Sequence, residues 1–265
     1  MRTTRGSRDV DAGAAAAAIL SEAELARYAR QLKLLGEAGQ KRLRAATVTI
    51  AGAGGLGSVS AAYLSVAGIG HIRIVDDDVV ELSNLNRQIL HWEDDLGTQK
   101  VESFRAKLSC MNPAAVVTIV TQRIDEETVI EIVRDSDAIV DALDNFHTRY
   151  LLNRAALQTG IPYFYGGVQG FEGQAATIVP GKTACLRCIF PEAYPSEPVS
   201  VIGPTCGVIG SIQAIEVVKY LTGVGELLTD RLLVWDGFAA TLESFAVERN
   251  PACVDCAEFY CRERP

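Results

Sequence analysis

Two kinds of segment alternate along the first part of the chain: short runs rich in β-branched residues, and stretches whose apolar residues recur at helical spacing. Strands are predicted at residues 47–51, 71–76, 116–120 and 138–142, and helices at residues 58–67, 98–111 and 126–134. A further helix is predicted to begin after Ser21, because Ser21 and Glu24 form a capping-box pattern. Strands that alternate with helices indicate a mainly parallel sheet with right-handed crossovers.

The pattern changes after Pro162. Residues 163–179 are typical of strands broken by glycines, not of another strand–helix–strand unit. A helix at residues 207–221 and strands at residues 232–235 and 241–246 complete the prediction. The predicted fold class is therefore α/β, a Rossmann-like, doubly wound, mainly parallel sheet extended by antiparallel strands. Residues 1–20 are predicted to be a flexible N-terminal extension, and residues 21–265 to form a single domain.

Composition and charge exclude several classes of function. A chain of 265 residues, 48% of them hydrophobic, can bury one large core. Its net charge of −8 argues against a nucleic-acid partner, because binding a polyphosphate backbone requires a basic field. No apolar run approaches the roughly 18 to 20 residues that span a bilayer, so no membrane partner is expected.

Glycines between the first strand and the following helix form a candidate phosphate turn. Gly52, Gly54 and Gly57 would let phosphate approach backbone N–H groups and the positive end of a helix. Asp76 ends a strand about 20 residues on, where a carboxylate commonly holds a ribose hydroxyl. The turn alone also fits a tight structural turn or a dinucleotide-binding site.

The polar segment that follows Asp76 favours a triphosphate over a nicotinamide dinucleotide. The motif Ser83-Asn-Leu-Asn-Arg-Gln88 places Asn84 and Arg87 just beyond the second strand, at the sheet edge where ligands bind. Lys100 follows at the start of a helix. Two cations near one glycine turn suit a triphosphate, whereas a dinucleotide presents only a pyrophosphate.

Four of the seven cysteines form two C-x-x-C pairs, Cys185 with Cys188 and Cys253 with Cys256. Four thiolates suit a tetrahedral Zn²⁺ site without an open position, so a structural zinc ion is predicted. Metal ligation in place of disulfides also favours a cytoplasmic location.

Taken in chain order, these motifs make the sequence resemble the ThiF/MoeB/HesA family of adenylyltransferases, relatives of the ubiquitin-activating enzymes. The resemblance runs from about Ser21 to about Cys256. Its motifs are Arg27-Tyr-Ala-Arg-Gln31, Gly52-x-Gly-Gly-Leu-Gly57, Asp76, Ser83-Asn-Leu-Asn-Arg-Gln88, Gln99-Lys100, Asp141-x-x-Asp-Asn145, Arg149 and the two C-x-x-C pairs.

The resemblance implies ATP-dependent adenylation assisted by Mg²⁺. It implies that Gly55 and the glycines around it line the ATP phosphates and that Asp76 holds the ribose. Asn84, Arg87 and Lys100 would contact the triphosphate.

Two further roles are implied by the same resemblance. Asp144 matches an essential aspartate associated with Mg²⁺ and the reacting phosphate. An Asp that caps a helix beginning near Phe146 is the alternative interpretation of this residue. Arg30 matches an arginine that reaches the ATP site of the other subunit, so a homodimer is implied.

The sequence departs from the family pattern between the first zinc pair and the next helix. Many relatives carry a cysteine there that forms a covalent link, but residues 191–204 contain none, and Ser196 lies near the expected place. Cys206 could be activated by the start of a helix, although a buried helix start is the favoured interpretation. His71, His91 and His147 are interpreted as packing or surface residues.

The leading hypothesis is adenylation of the Gly-Gly C-terminus of a small ubiquitin-fold sulfur-carrier protein. The nucleotide-binding half would span about residues 45–160, and the carrier-binding and zinc half about residues 161–257, with residues 166–170 lining a channel for the tail. Adenylation of a small-molecule carboxylate is the alternative within the family. An NAD-dependent oxidoreductase and a non-catalytic dimeric scaffold are the alternatives outside it.

Overall fold

The computed structural model describes residues 19–192 and 200–260. Most of the extension predicted at residues 1–20 lies outside these residues, as do Ser196 and Cys261. The division of one domain into a nucleotide-binding half and a carrier-binding and zinc half stays a prediction.

The parallel half of the fold contains the strands and helices that the sequence predicts, together with a helix at Phe146–Thr159 that is not among the predicted elements. Its strands are β1 (Thr47–Ala51), β2 (His71–Val75), β3 (Val116–Val120), β4 (Ala138–Asp141) and β5 (Tyr163–Gln169). The helices between and before them are α1 (Glu22–Arg27), α2 (Ala29–Ala45), α3 (Gly55–Ala67), α4 (Lys100–Met111), α5 (Val129–Val133) and α6 (Phe146–Thr159). All pairs among β1 to β5 are parallel.

Antiparallel strands extend this sheet on one side. The remaining elements are β6 (Glu172–Ile178), α7 (Leu186–Ile189), α8 (Gly203–Thr222), β7 (Arg231–Asp236), β8 (Thr241–Ala246) and α9 (Ala257–Tyr260). The eight strands form one sheet in the order β3-β2-β1-β4-β5-β6-β7-β8, and β5 to β8 pair antiparallel. The predicted fold class is confirmed.

Several helix boundaries differ from the predictions. Helix α8 begins at Gly203, four residues before the predicted start, because Pro204 lies in its first turn, where a missing N–H costs no hydrogen bond. The capping box at Ser21 is present, but α1 ends at Arg27. Gly36, with φ of 65°, then kinks α2.

The hydrophobic core lies in two layers, one on each face of the sheet. One layer joins α5 and α6 to the sheet, with Tyr163 and Leu152 fully buried. The other layer holds α3, α4 and α8, with Phe104 and Leu64 fully buried. A Cβ on Gly210 would lie 2.8 Å from the Val59 side chain, so glycine allows α8 to pack closely on α3. No helix in the described part of the chain is long and apolar enough to cross a membrane.

Candidate functional site

The glycine turn connects β1 to α3 and contains glycines of two kinds. Gly52 has φ of 107°, and a Cβ there would lie 2.5 Å from the Ala142 carbonyl oxygen. A Cβ on Gly57 would lie 2.0 Å from the Gly52 carbonyl oxygen. These two glycines are therefore required by the packing of the turn, which is the structural alternative that the sequence left open.

Gly54 leaves space above the turn. The nearest atom to a Cβ on Gly54 is Nε2 of Gln88, at an ordinary contact distance of 3.7 Å. Helix α3 begins at the next residue, Gly55, and its first N–H groups lack partners within the helix. This open helix start offers the backbone donors that an anion requires.

Asp76 follows β2 and is bonded to the glycine turn. Its Oδ2 accepts a hydrogen bond from the Ala53 N–H at 2.7 Å, and its Oδ1 accepts one from the Asp78 N–H at 2.9 Å. Burial raises the pKa of Asp76, and these two N–H groups and Lys100 oppose the rise. A carboxylate has about four lone-pair sites, so Asp76 keeps acceptor capacity for a ribose hydroxyl.

Asn84 and Lys100, predicted from separate motifs, line one small cavity of about 130 Å³ beside Asp78 and Glu81. Lys100 is nearly buried, and its Nζ lies 2.7 Å from Oδ2 of Asp78. Oδ1 of Asn84 accepts a hydrogen bond from the Glu81 N–H at 3.1 Å. A phosphate that bound here would compete with Asp78 for Lys100.

Arg87 lies in the same loop, and its backbone borders the glycine turn. Its carbonyl oxygen would be 3.3 Å from a Cβ on Gly55. Its guanidinium donates to the Ser83 carbonyl and to Oδ1 of Asn86, at 3.0 and 3.1 Å. The structure thus brings the loop of Asn84 and Arg87 against the start of α3.

Asp144 lies in the loop between β4 and α6 and is exposed. The cap of α6 is Asn145, whose Oδ1 accepts a hydrogen bond from the Thr148 N–H at 2.9 Å. The alternative that Asp144 caps this helix is therefore wrong. Its carboxylate accepts a hydrogen bond from Nδ2 of Asn145 at 3.4 Å and faces solvent.

Arg30 lies on α2 and is exposed. Among residues 19–192 and 200–260, its side chain makes no hydrogen bond or ion pair, and the structure does not connect it to the cavity of Asn84 and Lys100. Its predicted role requires a second subunit, which this structure does not contain.

His91 is a packing residue, as the sequence indicates, and it contacts the glycine turn. Its Nε2 lies 3.0 Å from the Ala53 carbonyl oxygen, and its Nδ1 lies 2.8 Å from Oγ of Ser103. The side chain is only 4% exposed, and burial lowers its pKa. Neutral His91 therefore holds the carbonyl of Ala53 while Asp76 holds its N–H.

The four paired cysteines meet at one point. Their sulfur atoms all lie within 4.8 Å of one another. Cys185 Sγ is 3.9 Å from Cys188 Sγ and 3.6 Å from Cys253 Sγ, and Cys188 Sγ is 3.6 Å from Cys256 Sγ. Zn–S bonds of about 2.3 Å in a tetrahedron place sulfurs about 3.8 Å apart. The donor set and its spacing fit a zinc ion.

Polar contacts connect this cysteine cluster to α6. Asn153, fully buried on α6, donates from Nδ2 to Asp255 at 2.9 Å and accepts the Leu186 N–H at 3.0 Å. The Asn250 N–H donates to Sγ of Cys188 at 3.4 Å. The cluster therefore ties the C-terminal segment to the middle of the fold.

Cys206 lies at the start of α8 and is 2% exposed. Burial raises the pKa of its thiol, and Arg87 opposes the rise only in part. This direction is the opposite of what an activated nucleophile requires. The structure favours the interpretation of Cys206 as a buried helix start.

The glycines predicted to line a channel have different environments. A Cβ on Gly166 would lie 2.5 Å from the Gln213 side chain, and one on Gly167 would lie 2.4 Å from Oη of Tyr165. Gly170, with φ of 57°, has open space around its Cβ position. Packing therefore explains the first two glycines, and only Gly170 faces open space.

Comparisons with known proteins identify the family of this chain. Residues 28–255 match the model of the ThiF family. The SAMP-activating enzyme E1 of Haloferax volcanii is 44% identical over 90% of this chain and 91% of its own length. The sulfur carrier protein adenylyltransferase of Thermus thermophilus is 40% identical over 89% of this chain and 92% of its own length. Among solved structures, E. coli MccB with MccA-N7isoASN superposes with a TM-score of 0.81 at 26% identity, over 89% of this chain and 75% of that one.

The family model covers most of the chain, and the two relatives are similar across nearly their whole lengths. Adenylyl transfer, and not hydride transfer, is the chemistry for which the Thermus thermophilus relative is named. The chain belongs to the ThiF family and is an adenylyltransferase of the ThiF/MoeB type.

Proposed function

We propose that this protein uses ATP to adenylate the C-terminal Gly-Gly carboxylate of a ubiquitin-fold sulfur carrier. The observation that carries the choice of substrate is the similarity, across nearly the whole chain, to two enzymes named for activating such carriers. The open glycine turn beside a buried lysine supports the choice of ATP as the other substrate.

The reaction is a displacement at the α-phosphorus of ATP. A carboxylate oxygen of the carrier forms a bond to the α-phosphorus, and the bond from that phosphorus to the bridging oxygen of the β-phosphate breaks. The electron pair of the broken bond leaves with pyrophosphate. The chain supplies no covalent intermediate for this step, so its contribution is positioning and the offsetting of charge.

Apart from Gly52 and Gly57, which the packing of the turn explains, each residue predicted to bind the nucleotide has a place in this reaction. We assign the ribose to Asp76 and the phosphates to the N–H groups around Gly54 and Gly55. Lys100 and Arg87 would neutralise charge that develops on the leaving pyrophosphate, with Asn84 as a hydrogen-bonding partner. Lys100 would exchange its ion pair with Asp78 for the phosphate.

Asp144 fits the ligand chemistry of Mg²⁺, which takes carboxylate oxygens and usually few protein ligands. Its carboxylate is exposed, lies at the carboxyl edge of the sheet and is not consumed as a helix cap. Bound Mg²⁺ would offset phosphate charge during the transfer. We therefore assign the metal-ligand role to Asp144.

The zinc ion is assigned a structural role. Four sulfur ligands leave no position for substrate. With the ion in place, Cys253 and Cys256 would hold the C-terminal segment against α6. Arg30 is assigned to the ATP site of a second subunit, so the active form is a homodimer. Paired cysteines that suit metal, not disulfides, favour a cytoplasmic location.

The assignment of Asp144 is tested by ATP–pyrophosphate exchange at varied Mg²⁺. Asp144→Asn is expected to reduce exchange by at least about 100-fold, as the loss of a group that offsets transition-state charge does. Asp94→Asn removes an exposed carboxylate from another loop and is the matched control. Equal rates in the Asp144→Asn variant and the wild type would remove Asp144 from the mechanism.

A further inference from the structure

A buried ionic group lies beneath the loop that carries Asp144. Asp141 and Tyr163 have no exposed surface, and Arg149 is 6% exposed. Nε of Arg149 is 3.3 Å from Oδ2 of Asp141, an ion pair whose N–H is not aligned as a hydrogen bond. The Tyr163 hydroxyl donates to the same oxygen at 2.5 Å. Burial raises the pKa of Tyr163, so this hydroxyl stays protonated.

This group fixes both backbone atoms of Leu143, the residue before Asp144. The Leu143 N–H donates to Oδ1 of Asp141 at 3.0 Å. The Leu143 carbonyl accepts a hydrogen bond from Nη2 of Arg149 at 2.6 Å. Because the Leu143 carbonyl lies in the same peptide plane as the Asp144 Cα, these two bonds also fix the point from which the Asp144 side chain projects.

Arg149 connects this loop to strand β5. The same Nη2 donates to the Gly166 carbonyl oxygen at 3.0 Å. Gln213 reinforces the connection, since its Nε2 donates to the carbonyls of Asp141 and Phe164 at 2.6 and 3.0 Å. The buried side chains of Arg149 and Gln213 therefore hold the Asp144 loop and strand β5 in one arrangement.

Only arginine satisfies all of these contacts. Its guanidinium also lies over the rings of Phe146 and Tyr165, with centroid distances of 5.1 and 5.2 Å. The planar guanidinium presents five donors in a fixed geometry, whereas a lysine ammonium is a compact group that cannot span the same partners. Among the described residues, Arg149 makes no hydrogen bond or ion pair with Asp144, although their charges interact. Its action on a ligand there would therefore pass through the loop and this charge interaction.

We propose that Arg149 is a positioning residue that holds Asp144 in the orientation that binds Mg²⁺ and aligns the Asp144 loop with strand β5. This inference rests on the proposed function, because that function assigns the metal to Asp144. In other metal sites, residues that do not contact the metal orient its ligands in the same manner through hydrogen bonds.

Two variants test this role without leaving a buried charge unpaired. Arg149→Lys keeps the positive charge but loses the planar guanidinium with its five donors. The second variant combines Asp141→Asn with Arg149→Met, so that neither charge remains. Its amide side chain at position 141 can still accept the Leu143 N–H and bond to Tyr163. Arg105→Lys, at a half-exposed arginine on α4, is the matched control.

Two readouts are compared at a temperature at which every variant is folded. The first is the Mg²⁺ concentration that gives half-maximal ATP–pyrophosphate exchange, which is expected to rise about 10- to 100-fold in both Arg149 variants. The second is hydrogen exchange at the Leu143 amide without nucleotide or metal, which is expected to become faster in Arg149→Lys. The control is expected to match the wild type in both.

The outcomes separate this inference from the proposed function. An unchanged Mg²⁺ requirement and unchanged protection of Leu143 in a folded Arg149→Lys variant would overturn the positioning role. If Asp144→Asn also leaves the Mg²⁺ requirement unchanged, the metal assignment fails. In that case, hydrogen exchange alone decides whether Arg149 orders the loop. Faster hydrogen exchange at the Leu143 amide of Arg149→Lys, together with an unchanged Mg²⁺ requirement for ATP–pyrophosphate exchange, would likewise overturn the link between Arg149 and the metal.

Discussion

Substitution of Gly55 by alanine tests how closely helix α8 packs against the glycine turn. A Cβ on Gly55 would lie 2.7 Å from Sγ of Cys206, well inside the 3.4–4 Å of ordinary contact. Cys206 is 2% exposed and belongs to a small cluster with Leu56 and Ile209, so it cannot swing away freely. The turn must therefore move.

The expected magnitude follows from this overlap. Adding a methyl group to a well-packed site costs about 1–3 kcal/mol. If the cost appears as displacement of the turn in the ATP complex, the affinity for ATP falls by about 5- to 150-fold. Calorimetric titration with ATP measures this loss, and thermal unfolding of the free protein measures what part of the cost falls on the fold.

Removal of the obstructing sulfur is expected to restore binding. In Gly55→Ala with Cys206→Ala, the nearest remaining contacts are the Arg87 carbonyl and the residue 206 Cβ, both at 3.3 Å, which need shifts of only a few tenths of an ångström. Gly57→Ala is the control, because its Cβ would meet the Gly52 backbone oxygen at 2.0 Å and no side-chain truncation removes that contact. A double variant that binds ATP no better than Gly55→Ala would refute this reasoning.

Two other predictions concern zinc and pH. Cys256→Ser is expected to abolish stoichiometric zinc and to lower the unfolding midpoint by about 2–4 °C for each kcal/mol lost, measured by calorimetry alongside metal analysis; an unchanged midpoint would contradict the structural role. Burial lowers the pKa of His91 in the folded protein below its value of about 6.5 in the unfolded chain. As the pH drops below about 6.5, the unfolded chain therefore binds a proton at His91 before the folded protein does, and the free energy of unfolding decreases. His91→Gln should reduce this slope in urea unfolding and leave the part due to His71, whose pKa burial also lowers. His147→Gln, at a 75% exposed side chain, should leave the slope intact; equal slopes in both variants would exclude His91 as a source.

Most of the parallel half of the fold could be predicted because its strands and most of its helices carry a local signal, whereas α6 is not among the predicted elements. Strand β1 is a β-branched run, the glycine turn follows it, and α3 has apolar residues at helical spacing. The predicted start of α8 is too late because Pro204 resembles a helix break, although proline is well accepted in a first helical turn. Local patterns thus located the elements better than their ends.

The site was predictable only as far as its signals were local. The glycine turn and the cysteine pairs have fixed spacings in sequence, and the structure brings each set together. The contact of His91 with Ala53 joins residues 38 positions apart, and no spacing rule indicates it. The obstruction of Gly52 by Ala142 likewise depends on how β1 and β4 are paired. Contacts of this kind emerge only from the folded chain.

The central claim is tested most directly by ATP–pyrophosphate exchange with the purified protein and Mg²⁺. The assay compares a ubiquitin-fold carrier that ends in Gly-Gly, the same carrier without those two residues, and no carrier. We expect exchange that requires the intact tail. Exchange that proceeds equally with the truncated carrier, or no exchange with any carrier by a protein that binds ATP, would contradict carrier adenylation and favour a small-molecule carboxylate as the substrate.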